Sequence, residues 1–151
     1  MPSDGIMDDY MTLKPISIRS DEPIGRALGS MLEHGIRHLP VVDGDQLVGI
    51  VSGRDIRQCW GRTFQATGDV TLQQTVSEIM SPSPICATVE TSIQEAVALM
   101  VRHRIGALPV VDLYHRLIGI FTETDVLRYC LLLMERYQKI DPLLKEDRCG
   151  I

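Results

Sequence analysis

One stretch of this chain occurs twice. Leu39-Pro40-Val41-Val42-Asp43 leads through Leu47-Val48-Gly49-Ile50-Val51 to Ser52-Gly53-Arg54-Asp55. Leu108-Pro109-Val110-Val111-Asp112 leads in the same way through Leu117-Ile118-Gly119-Ile120-Phe121 to Thr122-Glu123-Thr124-Asp125. The register holds well beyond these stretches. The pairs Met11/Met80, Pro15/Pro84, Ile24/Ile93, Met31/Met100, His34/His103 and Pro40/Pro109 all stand 69 positions apart. Past the turn the spacing becomes 70, for Gly49/Gly119 and Asp55/Asp125, so the second turn holds one residue more. A constant register with a single slip inside a loop is the mark of duplication, and it limits the fold to one unit used twice.

Each copy reads as an apolar run, a short polar turn, a second apolar run and then a helix start, which is a β-hairpin feeding a helix. Asp43-Gly44-Asp45 is a tight-turn composition, and Asp112-Leu113-Tyr114-His115-Arg116 absorbs the extra residue. Ahead of each hairpin, Ile24, Ala27, Leu28, Met31 and Leu32, and likewise Ile93, Ala96, Val97, Met100 and Val101, fall at helical spacing and predict a core-facing helix. Gly35 is placed to end the first, Pro23 suits a first turn, and Thr91 with Gln94 reads as a capping box for the second. Earlier still come a short helical turn from Ile6 to Thr12, matched by Val76-Ser77-Glu78-Ile79-Met80 with Ser77 as N-cap, and an extended segment at Ile16-Ser17-Ile18 or Ile85-Cys86-Ala87 behind a proline. Each repeat therefore reads β-α-β-β-α, an α+β class built from α/β-type units.

Repeat 1 is expected over 6–60, a polar connector containing Gly68-Asp69 over 61–75, repeat 2 over 76–134, and a helix end and tail over 135–151. The last helix is expected from near Thr124 to about Gln138, broken by Asp141-Pro142, with Leu132 and Leu133 widening its apolar face. That surplus apolar surface points to a homodimer. Trp60 and Phe64 are placed at the connector, in packing or dimer contacts.

A formal net charge of −5 argues against nucleic acid and anionic membrane surfaces as partners, and 5% aromatic residues leave few stacking platforms. Cys59, Cys86, Cys130 and Cys149 form no CxxC pair and share no metal-ligand spacing with the histidines, so reduced thiols and no metal site are expected. No basic and apolar leader is visible at the N-terminus, and apolar runs such as Cys130 to Met134 are too short to span a bilayer. A cytoplasmic protein is expected.

Ser52-x-x-Asp55 and Thr122-x-x-Asp125 admit two compatible readings. A hydroxyl residue with an acid three positions on, just before an apolar helix, is a capping box. The same motif sits where a strand ends and a helix begins, with backbone N–H groups and the positive end of the helix dipole turned outward, which suits an anion. A carboxylate there can accept both hydrogen bonds of a ribose diol while the hydroxyl reaches a phosphate.

The tandem β-α-β-β-α order, with LPVVD and then Gly-Ile-hydrophobic-Ser/Thr-x-x-Asp, resembles the cystathionine β-synthase (CBS) domain family, and two in succession resemble a Bateman module. The resemblance covers about Ile6 to Leu133. It implies two repeats packed sheet to sheet about a pseudo-twofold axis, with two clefts between them for adenosine-containing ligands: AMP, ADP or ATP, with S-adenosylmethionine and NAD as further candidates. Carried onto this chain, it joins Arg37, Ile50, Ser52, Arg54 and Asp55 to Ile85, Ile105, Gly106 and Ala107 in one cleft, and Ile120, Thr122 and Asp125 to Ile16, Ile36 and His38 in the other. Arg37 and Arg54 favour phosphate in the first cleft, whereas Glu123 sets a like charge near the second. His34 and His103, near helix ends, receive no catalytic role.

The function expected is a free-standing adenine-nucleotide sensor that passes its occupancy to an effector protein, with a ligand-free dimerisation scaffold as the alternative. No enzyme is expected, because no nucleophile with a base, no paired carboxylates and no Walker-type phosphate loop stand out in the sequence.

Overall fold

The duplicated pattern produces duplicated elements. The computed structural model describes residues 7–68 and 73–145, with 139–145 as helical backbone; Ile6, Asp69, Cys149 and the tail from 146 onward lie outside them. The first repeat contains a 3-10 turn at Met7–Asp9, then β1 (Thr12–Leu13), β2 (Ile18–Arg19), α1 (Ile24–His34), β3 (His38–Asp43), β4 (Gln46–Ser52) and α2 (Gly53–Thr67). The second contains a 3-10 turn at Val76–Glu78, then β5 (Ser81–Pro82), α3 (Ile93–His103), β6 (Ala107–Val111), β7 (Leu117–Thr122) and α4 (Glu123–Lys145). The counterpart of β2 in the second repeat is one parallel bridge, Ala87 with Val110.

The sheets run β2-β3-β4-β5 and β1-β7-β6, so each is completed by a strand of the other repeat. β5 lies on β4, with Pro82 opposite Gly49, and β1 lies on β7, with Leu13 opposite Gly119. The cores follow this exchange. Ile18, Ile24, Ala27, Met31, Leu39, Val41 and Val51 of the first repeat bury with Val76 of the second, and Ile93, Ala96, Met100, Leu108 and Val110 bury with Met7 and Met11. Each fully buried Leu or Ile contributes about 1.5–3 kcal/mol. Gly49 and Gly119 make the crossing fit: a Cβ on Gly49 would overlap Met80 Sδ and lie 3.1 Å from the Ser81 carbonyl, and one on Gly119 would lie 2.5 Å from Met11 Sδ. At the hairpin turns, Leu47 N–H donates to the His115 carbonyl at 3.3 Å and Leu117 N–H to the Asp45 carbonyl at 3.2 Å, tying the two repeats together.

Several local assignments shift from the sequence reading. Thr75, not Ser77, caps the second 3-10 turn: its N–H and hydroxyl donate to Glu78 Oε2 at 2.7 and 3.0 Å. Ser92, not Thr91, caps α3, accepting from Glu95 N–H at 3.1 Å, while Thr91 Oγ1 accepts from Thr88 N–H. In both cases the hydroxyl immediately before the first helical residue takes the role. α2 continues past Gly61 to Thr67, with Thr63 and Thr67 hydroxyls donating to carbonyls four residues back, and Gly68 in the left-handed region closes it. Trp60 and Phe64 therefore stand on a helix, Trp60 against the first core and Phe64 exposed. α4 starts at Glu123 and passes through Asp141-Pro142 to Lys145. A proline removes one backbone hydrogen bond and crowds the carbonyl four residues earlier, a local penalty. Leu32 and Val101, counted in the core stripes, are exposed at the margins of α1 and α3.

Among the described residues no helix is long and apolar enough to cross a membrane, and no cluster of His, Cys, Asp or Glu could hold a metal ion. Cys59 is buried and donates to Gln74 Oε1 at 3.0 Å; Cys86 and Cys130 are half-buried, and all three are free thiols.

Candidate functional site

The junction of β4 and α2 sets one wall of a cleft of about 520 Å³ between the repeats. Ser52 and Asp55 form a complete capping box there. Asp55 Oδ2 accepts from Ser52 N–H and from Ser52 Oγ, each at 2.7 Å, and Asp55 N–H donates back to Ser52 Oγ at 3.3 Å. Among the described residues, Asp55 Oδ1 accepts no hydrogen bond, so half of the carboxylate is available to a ligand. All nine residues expected here line this one cavity: Arg37, Ile50, Ser52, Arg54 and Asp55 from the first repeat, and Ile85, Ile105, Gly106 and Ala107 from the second.

The cavity also takes in residues the sequence reading passed over, chiefly Arg57, Arg104, Ser81 and Ser83. Arg57 stands three positions after Arg54 on the same helix face, a spacing that was there to be read. Arg104 had no local signal, because it enters from the far end of α3. Four arginines against the carboxylates of Asp55 and Glu123 leave the larger cleft positive.

The junction of β7 and α4 builds the second cleft, of about 340 Å³. Asp125 is only 4% exposed, and its Oδ2 accepts from Thr122 N–H at 2.8 Å and Thr122 Oγ1 at 3.0 Å. Its other oxygen accepts from Arg128 Nη1 at 3.2 Å, so both oxygens are engaged. Ile16, Ile36, His38, Ile120, Thr122 and Asp125 all line this cavity, together with His34 and Arg128, which were not assigned to it. Both volumes fall in the range of roughly 300–1,000 Å³ common for small-molecule sites.

The clefts share a wall, which no reading of one repeat at a time could show. Arg37, His38, Gly106 and Glu123 line both. Arg37, assigned to the first cleft, and His38, assigned to the second, therefore belong to the two together, and the Glu123 carboxylate faces the first cleft as well as the second. Arg37 Nη2 stands 3.9 Å from Glu123 Oε2 with both side chains largely exposed, a loose pair that holds neither in place. The His38 ring lies close over Gly106, where a Cβ would come within 3.1 Å of it. Burial, followed by the positive charge of Arg37, lowers the His38 pKa below the usual 6.5 and keeps the ring neutral, against the smaller opposing pull of Glu123 and Asp55.

A half-free carboxylate, a serine hydroxyl at a helix N-terminus and several arginines face one cavity whose other walls are Ile50, Ile85 and Ile105. This arrangement offers an apolar slot at one side and polar partners for hydroxyls and an anion at the other.

A family model described as the CBS domain matches the chain twice, over residues 7–60 and 76–132. Inosine-5′-monophosphate dehydrogenase of Methanocaldococcus jannaschii is 32% identical over 144 residues, which cover 95% of this chain and 27% of that enzyme. The chain spans 27%, 46% and 23% of the length of three such curated relatives, and 94% of a CBS domain-containing protein of Dictyostelium discoideum that is 32% identical. The CBS domain pair of protein MJ0100, solved with 5′-methylthioadenosine and S-adenosyl-L-methionine, superposes with a TM-score of 0.72 at 31% identity, over 83% of this chain and 98% of that one. CBSX2, solved in complex with AMP, gives a TM-score of 0.75 at 28% identity, over 85% and 98% of the two chains.

Proposed function

Because the chain belongs to the CBS domain family and carries two of its repeats, we propose that it is a regulatory module that binds an adenosine-containing ligand between the repeats and passes its occupancy to an effector protein. One observation carries the reading. In the larger cleft, Asp55 keeps one oxygen open beside Ser52 and the arginines, while Ile85, Ile105, Gly106 and Ala107 close over it from the other repeat. In this reading the free Asp55 oxygen takes the ribose, Ser52 and Arg54 face the phosphate, and the base lies against Ile50 and Ile85, with Gly106 and Ala107 leaving room for its plane. A ligand held by both repeats shifts their relative angle by no more than its differential affinity for the two arrangements. The reading is supported by neighbours of the same fold that hold AMP, S-adenosyl-L-methionine and 5′-methylthioadenosine.

A homodimer belongs to the same proposal. Leu127, Leu131 and Met134 project from one exposed face of α4, where a second copy would cover them. The second reading, a dimerisation scaffold with vacant clefts, is favoured by one observation: Asp125 spends both of its oxygens inside the protein.

Thermal unfolding and titration calorimetry with AMP, ADP, ATP, S-adenosylmethionine and NAD separate the two. At 1 mM, a ligand with a dissociation constant of about 10 μM adds about 2.7 kcal/mol, or roughly 5–10 °C in Tm for a chain of this size. The sensor reading expects such a shift with at least one ligand and its loss in Asp55→Ala. No shift with any of the five would leave the scaffold.

A further inference from the structure

The two clefts are built from equivalent positions, so the residues that differ between them show what each can hold. At the helix N-terminus, Gly53 and Arg54 of the larger cleft stand where Glu123 and Thr124 stand in the smaller. One turn on, Arg57 corresponds to Leu127. Across the cleft, Arg104 corresponds to Gly35. Three of these differences add positive charge on the side of the larger cleft, while Glu123 faces both.

Arg104 carries the argument furthest. Both residues end their helix in the left-handed region, Gly35 at φ 62 and Arg104 at φ 55. Glycine adopts that conformation freely, whereas a residue with a Cβ is disfavoured there. The second repeat therefore holds an arginine in a backbone conformation that suits glycine, and the side chain it gains lines the larger cleft.

Three of the four arginines of the larger cleft are also uncommitted. Among the described residues Arg54, Arg57 and Arg104 form no ion pair, whereas in the smaller cleft Arg128 is held by Asp125. Three cations outside any ion pair, which with Arg37 outnumber the Asp55 and Glu123 carboxylates of the same cavity, call for a ligand with several negative charges.

Resting on the adenosine reading above, we propose that the larger cleft takes a nucleoside polyphosphate in preference to a monophosphate or a sulfonium-bearing nucleoside. Arg54 and Arg57 hold the phosphate chain from α2, and Arg104 closes on it from the other repeat. The phosphate chain is thus the part of the ligand that bridges the two repeats, and Arg57 and Arg104 set the specificity.

The test is calorimetric titration of wild type, Arg57→Ala and Arg104→Gly with ATP, ADP, AMP, S-adenosylmethionine and inorganic tripolyphosphate, without divalent metal. Affinity is expected to rise from AMP to ATP. Each variant is expected to lose about tenfold for ATP and tripolyphosphate, as for removal of one charged contact, with AMP much less affected. Arg104→Gly restores the residue of the other repeat, so its unliganded Tm is expected to stay level or rise, which separates lost binding from lost folding. AMP binding as tightly as ATP, or an unchanged ATP-to-AMP ratio in both variants, would overturn the polyphosphate assignment and leave the adenosine reading standing. Tripolyphosphate binding that depends on Arg104, with no binding of any nucleoside, would do the reverse. Silence from every probe would overturn both.

Discussion

Gly49→Ala tests how tightly the exchanged strand is seated. The added methyl group would overlap Met80 Sδ and approach Met80 Cγ at 3.0 Å and the Ser81 carbonyl at 3.1 Å. The methionine can swing aside, because its side chain is flexible and only half-buried. The Ser81 carbonyl is backbone, fixed by the pairing of Ser81 with Ile50, so β5 itself must shift by a few tenths of an ångström. Such overpacking costs about 1–3 kcal/mol, offset by about 0.4–1 kcal/mol from the reduced freedom of the unfolded chain. The net loss is about 1–2 kcal/mol, or roughly 2–8 °C in Tm at this chain length. Because Ser81 and Ser83 line the larger cleft, the shift should weaken ligand binding too. The control is the same substitution at Gly29, which lies inside α1 with nothing within 4 Å of a new Cβ. There alanine should stabilise by about 0.5–1 kcal/mol. The reasoning fails if calorimetry finds Gly49→Ala as stable as wild type, or if both substitutions move Tm in the same direction.

Two further outcomes are expected. Since the folded His38 resists protonation, the unfolded chain binds its proton first on acidification; the stability due to this group is whole above pH 6.5 and is lost as pH falls from there toward the lowered pKa. His38→Gln should flatten Tm against pH between 5 and 7, and a difference from wild type that does not change with pH would refute the assignment. Leu131→Glu on the exposed face of α4 should convert a dimer to monomers in light scattering, and an unaltered mass would move the interface elsewhere.

The parts of the fold that depend on local sequence were legible in it. Leu39 to Asp43 and Leu47 to Val51 are apolar runs on either side of a polar turn, as a hairpin requires, and the pairing of Leu39 with Val51 and Pro40 with Ile50 follows. The fifteen residues assigned to two clefts line two cavities, because one repeat register carried both motifs. The sequence could not say which repeat each opening segment would complete. Met7 and Met11 are apolar and therefore buried, but periodicity does not name their neighbour. The shared wall was hidden for the same reason, since His38, Gly106 and Glu123 meet only after the repeats pack. Cap positions slipped by a residue or two where hydroxyls stand close together, as at Thr91 and Ser92.

The crossing of β1 and β5 also bears on how such a chain arises. Thr12-Leu13 and Ser81-Pro82 are the same segment of the repeat, 69 positions apart, and each lies on the sheet of the other copy. An ancestor with one repeat could not have completed its sheet by itself. It would have lent that segment to a twin and borrowed the twin's in return, as a domain-swapped pair. With the twins joined on one chain, the two clefts need no longer be alike, and they are not: one has Arg104 where the other has Gly35.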